Sequence, residues 1–254
     1  MKDAFDQFVL STACRNIEGL FIRAYPVCDS TNDRAKEWLL AENRGEALFA
    51  AAEQTAGRGR RGRGFYSPAE SGVYFTVACT PQEPLESTVG VTCAAAVAVM
   101  RAIRDLSGRQ CGIKWVNDLL LNGKKVCGIL AEAVTVGERT SVLVGIGINL
   151  RPADFPPELA EIAGSVGDAE TPRVELIAGV TRNLLPFLRH PENREWLDDY
   201  RRHSCVIGKE IAFSRDGDIT PATVVGINDA GELIVRTEQG TEILRTGEIT
   251  LRFR

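Results

Sequence analysis

The spacing of apolar residues changes several times along the chain, and each change marks a predicted element. "LFIRAY" (20–25) has the content of a short strand, and "DSTNDRAKEWLL" (29–40) follows it with serine and threonine in capping positions and apolar residues at helical spacing. "EALFAAAEQ" (46–54) and "SGVYFTVAC" (71–79) are typical of buried strands. This part of the chain therefore predicts a strand, a capped helix and two core strands.

The middle of the chain predicts a buried helix followed by antiparallel strands. "VTCAAAVAVMRAIRDL" (91–106) is too long and too rich in alanine for a strand. "IKWVNDLLL" and "KKVCGILAEAV" are separated by Asn122-Gly123, the strongest short hairpin signal because both central positions of that turn need positive φ. "TSVLVGIGINL" (140–150) supplies a further strand, so we expect an antiparallel meander here.

The last part of the chain predicts two helices and then a series of short strands. Between Val174 and Tyr200 the apolar spacing indicates two amphipathic helices with a break near Pro191. Beyond His203, the runs "KEIAF", "ATVVGI", "ELIVRT", "TEILRT" and "EITLR" alternate with turn sequences, at the spacing of a small barrel. We therefore expect a domain boundary near Ser204.

Composition places the chain among globular proteins. Its 254 residues are 44% apolar and 25% charged, which argues against disorder. The longest apolar runs are too short to span a bilayer and the N-terminal segment has no cleavable apolar core, so we expect a cytoplasmic protein that binds no membrane. Seven scattered cysteines without a CxxC pair, and only two histidines, predict reduced thiols and no zinc site. The net charge of −4 argues against a protein that coats nucleic acid.

Positive charge is nevertheless concentrated in one loop. Residues 57–64, "GRGRRGRG", hold four arginines and four glycines between two predicted strands. Glycines let backbone amides approach a ligand and arginines supply fixed charge, a combination that suits a phosphate or a carboxylate. Phe65 and Tyr66 follow and offer a flat apolar face to a base. A solvated surface loop, a nucleic-acid contact and core aromatic residues would give the same local pattern.

Three further fragments carry polar groups in apolar surroundings. "KWVND" (114–118) interrupts an apolar run with lysine, asparagine and aspartate. These side chains need hydrogen-bond or ionic partners if they are buried. An edge strand with one solvent-exposed face would explain them equally well. Lys125 follows the hairpin turn and precedes an apolar run and Gly128. The glycines of "VGIGINL" weaken a strand unless a ligand or another backbone approaches closely, and Asn149 ends that run.

Together the fragments resemble one family, the biotin protein ligases, which are the biotin–[acetyl-CoA-carboxylase] ligases of bacteria. The resemblance rests on "STN" (30–32), "EQTAGRGRRGR", "KWVND", "GKKVCGIL", "GIGIN" and the C-terminal "GKEI…GEITLR", in family order over nearly the whole chain. It implies an α+β fold with a mixed, largely antiparallel sheet and packed helices, of the class II synthetase type, over residues 1–203. It also implies a small SH3-like β-barrel over residues 204–254.

The resemblance further implies a two-step reaction. Biotin and ATP, with Mg²⁺, would form biotinyl-5′-AMP and pyrophosphate, and a lysine of a biotin carboxyl carrier protein domain would then take the biotinyl group. A carboxylate that attacks the α-phosphate is already ionised at neutral pH, so the step needs cationic stabilisation of the transition state and no general base. The arginine loop would close over the unstable adenylate and shield it from water.

Residue roles follow by the same resemblance. The biotin site would comprise Ser30, Thr31, Asn32, Gln54, Gly57, Arg58, Arg60, Lys125 and Gly128. The nucleotide site would comprise Arg58, Arg60, Arg63, Phe65, Lys114, Asn117, Lys125 and Asn149. The catalytic residues would be Lys125, Arg60 and Asp118. Lys125 would lie between the biotin carboxylate and the α-phosphate, and Asp118 would hold Mg²⁺ or the incoming lysine amine.

Some positions depart from the family pattern. Val116 replaces the usual proline of "KWPND", which affects how Asn117 and Asp118 are seated, and Cys127 stands where glycine or alanine is commoner, where we expect it beside the pocket. About twenty residues precede the first core strand, too few for a winged helix-turn-helix, so we expect a monofunctional ligase that binds no DNA. Because family members often pair through a continuous sheet, a homodimer is also an open expectation.

Two other functions fit parts of the sequence. Lipoate and octanoate transferases share the expected fold, but their pocket would lack the glycine–arginine loop followed by the "KW-ND" pattern. A nucleic-acid-binding module that uses the arginine loop predicts a steeply salt-dependent affinity and no ATP turnover. Competition between biotin and lipoate separates the first alternative from a biotin ligase, and the acidic net charge argues against the second.

Overall fold

The computed structural model describes residues 5–41, 44–84, 87–167, 170–215, 218–245 and 249–251. A first sheet contains the strands β1 (Phe21–Cys28), β2 (Glu46–Gln54), β3 (Gly72–Cys79), β4 (Gly112–Lys114), β5 (Asp118–Leu121), β6 (Lys124–Val136) and β7 (Arg139–Asn149). A second sheet contains β8 (Glu210–Arg215), β9 (Asp218–Ile227), β10 (Leu233–Thr237), β11 (Gly240–Leu244) and β12 (Ile249–Leu251). The helices are α1 (Gln7–Ala13), α2 (Thr31–Leu40), α3 (Thr88–Ser107), α4 (Pro157–Ala160), α5 (Arg173–Arg189) and α6 (Leu197–Arg202).

The first sheet is mixed and largely antiparallel, as predicted. Its strand order is β1-β2-β3-β7-β6-β5-β4. Only the pair β1–β2 is parallel, and every other neighbouring pair is antiparallel. The predicted hairpin between β5 and β6 is confirmed, because Asn122 has φ 52° and Gly123 has φ 78°. The meander β4 to β7 carries the "KWVND", Lys125 and "GIGIN" fragments on adjacent strands.

Helices cover both faces of this sheet. The long helix α3 and helix α5 pack on one face, in a core that includes Phe75, Val144 and Ile146. Helix α2 covers the opposite face, against Phe49 and Leu143. Successive residues of the central strands β2 and β7 thus alternate between two apolar layers, which explains their nearly continuous apolar sequences. The break predicted near Pro191 is confirmed, since α5 ends at Arg189 and α6 begins at Leu197.

The second sheet is a small antiparallel domain in the order β11-β10-β9-β8-β12, as expected for the C-terminal strand series. It contacts the larger domain through a turn at Gly231, whose carbonyl accepts a hydrogen bond from the indole Nε1 of Trp115 at 2.9 Å. Arg201 of α6 donates to the carbonyl of Ile227 at 2.9 and 2.7 Å. Gly247 and Glu248 of the C-terminal motif lie outside the described residues, and the boundary near Ser204 stays a prediction.

Two further findings concern the cysteines and the helices. All seven cysteines are free thiols, and five of them are buried. Within the described ranges, no helix is both long and apolar enough to cross a membrane.

Candidate active site

A β-bulge turns Lys125 toward the site. Leu119 of β5 is paired with Cys127 of β6, but its neighbour Leu120 is paired with Lys125, so Val126 is an extra residue in β6. Regular alternation would put Lys125 on the same face as Cys127, in the core. Because the bulge shifts the alternation by one residue, the Lys125 side chain lies beside Gly128 on the other face, and its Nζ is 3.2 Å from the point where a Gly128 Cβ would lie.

Two adjoining cavities open on this face of the sheet. The first holds about 50 Å³ of open space and is lined by the predicted residues Ser30, Thr31, Asn32, Gln54, Arg58 and Gly128, among others. The second holds about 380 Å³ and is lined by the predicted residues Arg63, Lys114, Asp118 and Asn149, among others. The residues common to both linings are Gly59, Arg60, Phe65, Asn117 and Lys125. Every predicted site residue except Gly57 therefore lines at least one cavity, and Arg58, predicted for both sites, lines only the first.

A hydrogen-bonded network forms the floor of the first cavity. The Oε1 atom of Gln54 accepts from the backbone nitrogen of Thr31 at 2.9 Å and lies 3.1 Å from its hydroxyl. The Nε2 atom of Gln54 donates to Ser67 Oγ at 3.1 Å. Thr76 of β3, fully buried, has its hydroxyl 2.8 Å from Thr31 Oγ1 and 2.6 Å from Asn32 Oδ1. These mutual contacts fix the orientation of groups that can bind a polar ligand head.

Glycines make room for this network. A Cβ at Gly145 would lie 2.2 Å from Asn32 Oδ1, and a Cβ at Gly147 would lie 2.4 Å from the Phe65 ring. We expected a ligand or another backbone to approach these glycines. The structure places two side chains against them, and both glycines also line the first cavity. Gly57 does not line a cavity, but a Cβ there would lie 2.6 Å from the carbonyl oxygen of Phe65. The absence of a side chain at Gly57 lets the start of the loop pass close to its end at Phe65.

The arginine loop is closed on itself by backbone hydrogen bonds. The nitrogen of Phe65 donates to the carbonyl of Gly57 at 2.8 Å, and that of Gly59 donates to the carbonyl of Arg63 at 2.7 Å. Arg61 has φ 56°, a left-handed conformation at the tip of the loop. The loop thus has a defined shape over the sheet.

Arginine side chains tie the loop to the sheet at two places. Arg60 Nη1 donates to Asn117 Oδ1 at 3.1 Å, and Asn117 Nδ2 donates in turn to the carbonyl of Ile129 at 3.0 Å. Arg58 Nη2 lies 2.9 Å from Glu132 Oε2 and 3.1 Å from Asp33 Oδ1. The charge of Arg58 is thus balanced by two carboxylates on the side of the first cavity, away from the second.

Lys125 and Asp118 form an ion pair in the second cavity. Lys125 Nζ is 2.7 Å from Asp118 Oδ1. The Lys125 backbone is also held, because its nitrogen donates to the carbonyl of Ile162 at 2.8 Å and its carbonyl accepts from the nitrogen of Gly164 at 2.9 Å. Asn149 Nδ2 donates to the Gly164 carbonyl at 3.0 Å. The segment 155–164 therefore fixes one wall of the second cavity.

Several lining residues were not predicted from the sequence. The second cavity has an apolar rim that includes Phe155, Leu159 and Ile162, and Ile249 of the second sheet reaches the same lining. The Phe155 ring is 6.3 Å from the ring of Tyr66, edge to face. Glu132 was also not predicted. It belongs to neither lining, but it contacts Arg58 and Asn32, which line the first cavity. A signal for Glu132 was present, since it continues the alternation of Gly128 and Leu130 along β6, whereas the apolar rim has no local sequence signature.

The structure shows where the two residues that depart from the family pattern, Cys127 and Val116, are located. Cys127 is fully buried in the core on the face opposite the cavities, so the expectation that it lies beside the pocket is wrong. Burial raises the pKa of the Cys127 thiol well above its ordinary value. The Val116 side chain is also in the core, its carbonyl accepts a hydrogen bond from the Tyr200 hydroxyl at 3.1 Å, and the Trp115–Val116 peptide bond is cis.

The predicted Phe65 contact with the nucleotide stays a prediction. The Phe65 ring lies over Gly128 and Gly147, between the two cavities, with the Tyr74 ring 6.4 Å away. Over the described part of the chain, no group of three or more histidine, cysteine, aspartate or glutamate side chains is arranged to hold a metal ion. A metal at this site would therefore need ligands from the substrate as well.

Known proteins are similar to this chain in both sequence and fold. The biotin/lipoate A/B protein ligase family matches residues 24–149, and the biotin protein ligase C terminal domain matches residues 206–252. The chain is 34% identical over 251 residues to the bifunctional ligase/repressor BirA of Bacillus subtilis, an alignment that covers 92% of this chain and 75% of that protein. It is 32% identical over 243 residues to the biotin–[acetyl-CoA-carboxylase] ligase of Paracoccus denitrificans, covering 87% and 96% respectively.

A solved structure extends the comparison to three dimensions. The biotin protein ligase from Aquifex aeolicus, in complex with biotin and ATP, superposes with a TM-score of 0.76 at 26% identity. The match covers 91% of this chain and 98% of that one, so it includes both sheets.

Proposed function

The chain belongs to the biotin/lipoate A/B protein ligase family, in its biotin protein ligase branch, and from this premise we propose that it is an ATP-dependent biotin ligase. It forms biotinyl-5′-AMP from biotin and ATP and transfers the biotinyl group to a carrier protein. The observation that carries the proposal is the pair of adjoining cavities that share Arg60 and Lys125. Two substrates that react with each other need two adjoining binding sites, with cations at the boundary between the sites.

The first cavity suits the biotin head group. Its floor offers amide and hydroxyl groups of Thr31, Asn32 and Gln54, with Ser30 beside them, and these complement a ligand that both donates and accepts hydrogen bonds. Gly128 adds a wall without a side chain, and Gly57 lets the loop pass closely above. In this arrangement the carboxylate tail of biotin points toward Arg60 and Lys125. Arg58 reaches only this side, so we propose that it acts on biotin rather than on the nucleotide.

The first chemical step joins the two cavities. A biotin carboxylate oxygen attacks the α-phosphorus of ATP, a new acyl–phosphate bond forms, and the bond to the pyrophosphate oxygen breaks. Negative charge accumulates on the phosphoryl oxygens in the transition state, so fixed cations lower its free energy. Lys125 and Arg60 border both cavities and supply this charge, and the bulge at Val126 is what places the ammonium there.

The second cavity suits the nucleotide. Arg63 and Lys114 offer positive charge to the phosphates, while Asn117 and Asn149 offer amides. Its apolar lining, which includes Phe65, Tyr66 and Phe155, gives a base apolar faces on which it stacks. A cavity of this size and mixed lining is ordinary for a small-molecule site.

Mg²⁺ is the metal we propose for this step. Mg²⁺ in nucleotide sites is held by one or two carboxylates together with substrate phosphates. Asp118 provides a carboxylate in the second cavity, next to the amide of Asn117, and this donor set fits a hard cation. Bound there with ATP, the ion would neutralise phosphate charge. Chelation by EDTA is expected to stop pyrophosphate release, and excess Mg²⁺ to restore it.

The second step takes place at the acyl carbon. The neutral amine of a carrier lysine attacks that carbon, an amide bond forms, the bond between the acyl carbon and the phosphate oxygen breaks so that AMP leaves, and the amine proton passes to solvent water. Asp118 already holds an ammonium group, that of Lys125, at 2.7 Å, which supports its role in receiving the incoming lysine. The partner we propose is the biotin carboxyl carrier domain of a biotin-dependent carboxylase.

The family premise and the arginine loop favour biotin over lipoate as the acid. We further propose a cytoplasmic location and no DNA partner, the latter supported by the net charge of −4. A homodimer remains a prediction.

Transfer to a carrier tests the proposal. The protein, ATP, Mg²⁺ and biotin are incubated with a biotin carboxyl carrier domain, and acyl labelling of the domain is detected as a gain in its intact mass. A carrier with its acceptor lysine replaced by arginine is the matched control, and a lipoyl domain with lipoate tests the sister activity. Labelling of the intact carrier alone is expected. Labelling of the lipoyl domain in its place would contradict the proposal.

A further inference from the structure

The hydroxyl of Thr76 lies against two residues of the first cavity. Thr76 on β3 is fully buried, and its Oγ1 atom is 2.6 Å from Asn32 Oδ1 and 2.8 Å from Thr31 Oγ1. Thr31 and Asn32 line the first cavity, whereas Thr76 lies behind them and does not. Thr76 therefore acts on a bound ligand only through these two residues.

The direction of the Asn32 amide is set by a carboxylate. Glu132 Oε2 accepts from Arg58 Nη2 at 2.9 Å, and a guanidinium can only donate, so this oxygen is an acceptor. The Asn32 group that faces the same oxygen at 2.6 Å is then the amino group. Asn32 Oδ1 therefore faces Thr76, and it can only accept from the hydroxyl.

The Gln54 amide is set from the opposite end of the network. Ser67 Oγ donates its one proton to the carbonyl of Phe65 at 2.9 Å, so it accepts from Gln54 Nε2 at 3.1 Å. Gln54 Oε1 therefore faces Thr31, whose backbone nitrogen donates to it at 2.9 Å. The two threonine hydroxyls thus lie between two amide oxygens that can only accept.

Two hydroxyl protons serve three short contacts between oxygen atoms. The contacts are Asn32 Oδ1 to Thr76 at 2.6 Å, Thr76 to Thr31 at 2.8 Å, and Thr31 to Gln54 Oε1 at 3.1 Å. One contact must lack a proton, and the longest one costs least because Gln54 Oε1 already accepts from a backbone nitrogen. The Thr76 proton is then directed at Asn32 and the Thr31 proton at Thr76. The lone pairs of Thr31 Oγ1 are left to accept.

We propose that Thr76 is a positioning residue that makes the Thr31 hydroxyl an acceptor toward the first cavity, so that this cavity selects a ligand that donates an N–H group. With the proposed function as premise, the group is an N–H of the ureido ring of biotin. A ligand N–H directed at Thr31 Oγ1 or Gln54 Oε1 completes the network, whereas a ligand oxygen there would face two acceptors. The donor order is a property of the ligand-free protein, and the selectivity rests on the proposed function.

Neutron diffraction from a crystal of the ligand-free, perdeuterated protein tests the donor order directly, because it locates hydroxyl deuterium atoms that X-rays do not show. We expect the Thr31 deuterium between the two threonine oxygens and the Thr76 deuterium directed at Asn32 Oδ1. A Thr31 deuterium directed at Gln54 Oε1 would overturn the proposal, whatever the protein does with biotin.

Thr76→Val tests the selectivity, since it removes the hydroxyl, keeps the branched shape and frees the Thr31 proton to turn toward a ligand. The readout is kcat/KM for biotin divided by kcat/KM for each of its two cyclic carbamate analogues, in which an oxygen replaces one ureido N–H, measured by pyrophosphate release. With at least one analogue we expect a ratio of about a hundred or more for wild type and about tenfold less for Thr76→Val. The KM for biotin should rise about tenfold while kcat and the KM for ATP stay within about threefold.

Two control variants separate the hydroxyl from packing. Thr76→Ser keeps the hydroxyl and should return the ratio and the KM for biotin to within about threefold of wild type. Thr181→Val is the matched control for loss of a buried hydroxyl, because Thr181 is also fully buried but donates to the carbonyl of Ile177 within α5. It should lower Tm without changing the ratio.

An unchanged ratio in Thr76→Val, or an equal change in Thr181→Val, would overturn the selectivity role. Absence of pyrophosphate release in the wild type would overturn the proposed function instead, and the donor order would still be decided by neutron diffraction.

Discussion

At the residue scale, the proposed chemistry depends most on Lys125. Its ammonium group borders both cavities and is held by Asp118 at 2.7 Å. Lys124, its neighbour, is exposed and donates to the carbonyl of Ala160, away from the shared boundary of the cavities. Two adjacent lysines of the same sequence therefore have different positions and different expected roles.

Replacing Lys125 by alanine is expected to reduce biotin-dependent pyrophosphate release by about a hundredfold or more, since it removes a fixed charge at the developing phosphoryl charge. Lys124→Ala is the matched control and should stay within about threefold of wild type. Initial rates of pyrophosphate release measure both. Near-normal release by Lys125→Ala would contradict the role assigned to this lysine.

Thiol chemistry gives a second expectation at this scale. Burial raises the pKa of Cys14, Cys28 and Cys111 to about 11, and that of Cys79 and Cys93 to about 12. A raised pKa leaves a thiol protonated at neutral pH, and a shift of two units leaves about a hundredfold less of the reactive thiolate. We therefore expect almost no alkylation by iodoacetamide at pH 7.5 and a rise only as the pH passes about 10. Intact-mass measurements test this, and rapid modification of these thiols at neutral pH would contradict it.

The sequence made the charged and amide residues of the site predictable, because polar groups in apolar runs need partners. It did not reveal Thr76, because a threonine is an ordinary β-branched residue in a strand sequence. In the structure the Thr76 hydroxyl is fully buried beside Asn32. It also placed Cys127 on the wrong face, since neighbouring residues in a strand with a bulge no longer alternate regularly.

At the element scale, strand β7 contributes to the site through its glycines, which leave space for side chains of other elements. Gly145 and Gly147 leave space on β7 for the side chains of Asn32 and Phe65. Glycine and isoleucine therefore alternate along this part of β7: the glycines line the first cavity, and the isoleucines are buried in the core on the other face.

Gly145→Ala is expected to raise the KM for biotin by about tenfold, because a Cβ at this position would lie 2.2 Å from Asn32 Oδ1 and displace it. Gly226→Ala on β9 is the matched control, since a Cβ there has no neighbour within 4 Å. The KM values come from pyrophosphate release at varied biotin. A variant Gly145→Ala with the wild-type KM would show that the floor of the first cavity tolerates movement of Asn32, contrary to the assigned role.

Most strands and helices were predictable from periodicity and turn chemistry, as the Asn122-Gly123 hairpin illustrates. The bulge at Val126 was not, because its cause is the pairing of β6 with β5, which no local pattern encodes. Helix α1 was also missed. It is short, and a tertiary contact supports it, in which Gln7 donates to the carbonyl of Ile22 and accepts from the nitrogen of Ala24 on β1.

At the scale of the whole molecule, the small C-terminal sheet contributes to the nucleotide side of the site. The Gly231 turn holds the indole of Trp115, and Trp115 and Ile249 both line the second cavity but not the first. A disturbance of this contact should therefore act on ATP more than on biotin.

Gly231→Ala tests that asymmetry. The glycine has φ +82° and a Cβ would lie 3.0 Å from Cys93 Sγ, so the turn should shift and its hydrogen bond with Trp115 should weaken. We expect the KM for ATP to rise about tenfold while the KM for biotin stays within about twofold. Gly240→Ala is the control, because it has a similar backbone strain at φ +129° with no neighbour within 4 Å, and it should lower Tm without changing either KM. Equal changes in both KM values for Gly231→Ala would contradict the asymmetry.

The most direct test of the central claim is the release of pyrophosphate from ATP and Mg²⁺ by the purified protein, with biotin or lipoate as the acid and no carrier present. We expect release with biotin and none above background with lipoate, because the amide and hydroxyl groups of Thr31, Asn32 and Gln54 in the first cavity complement the ureido head of biotin and not the dithiolane of lipoate. Release with lipoate and silence with biotin would contradict it.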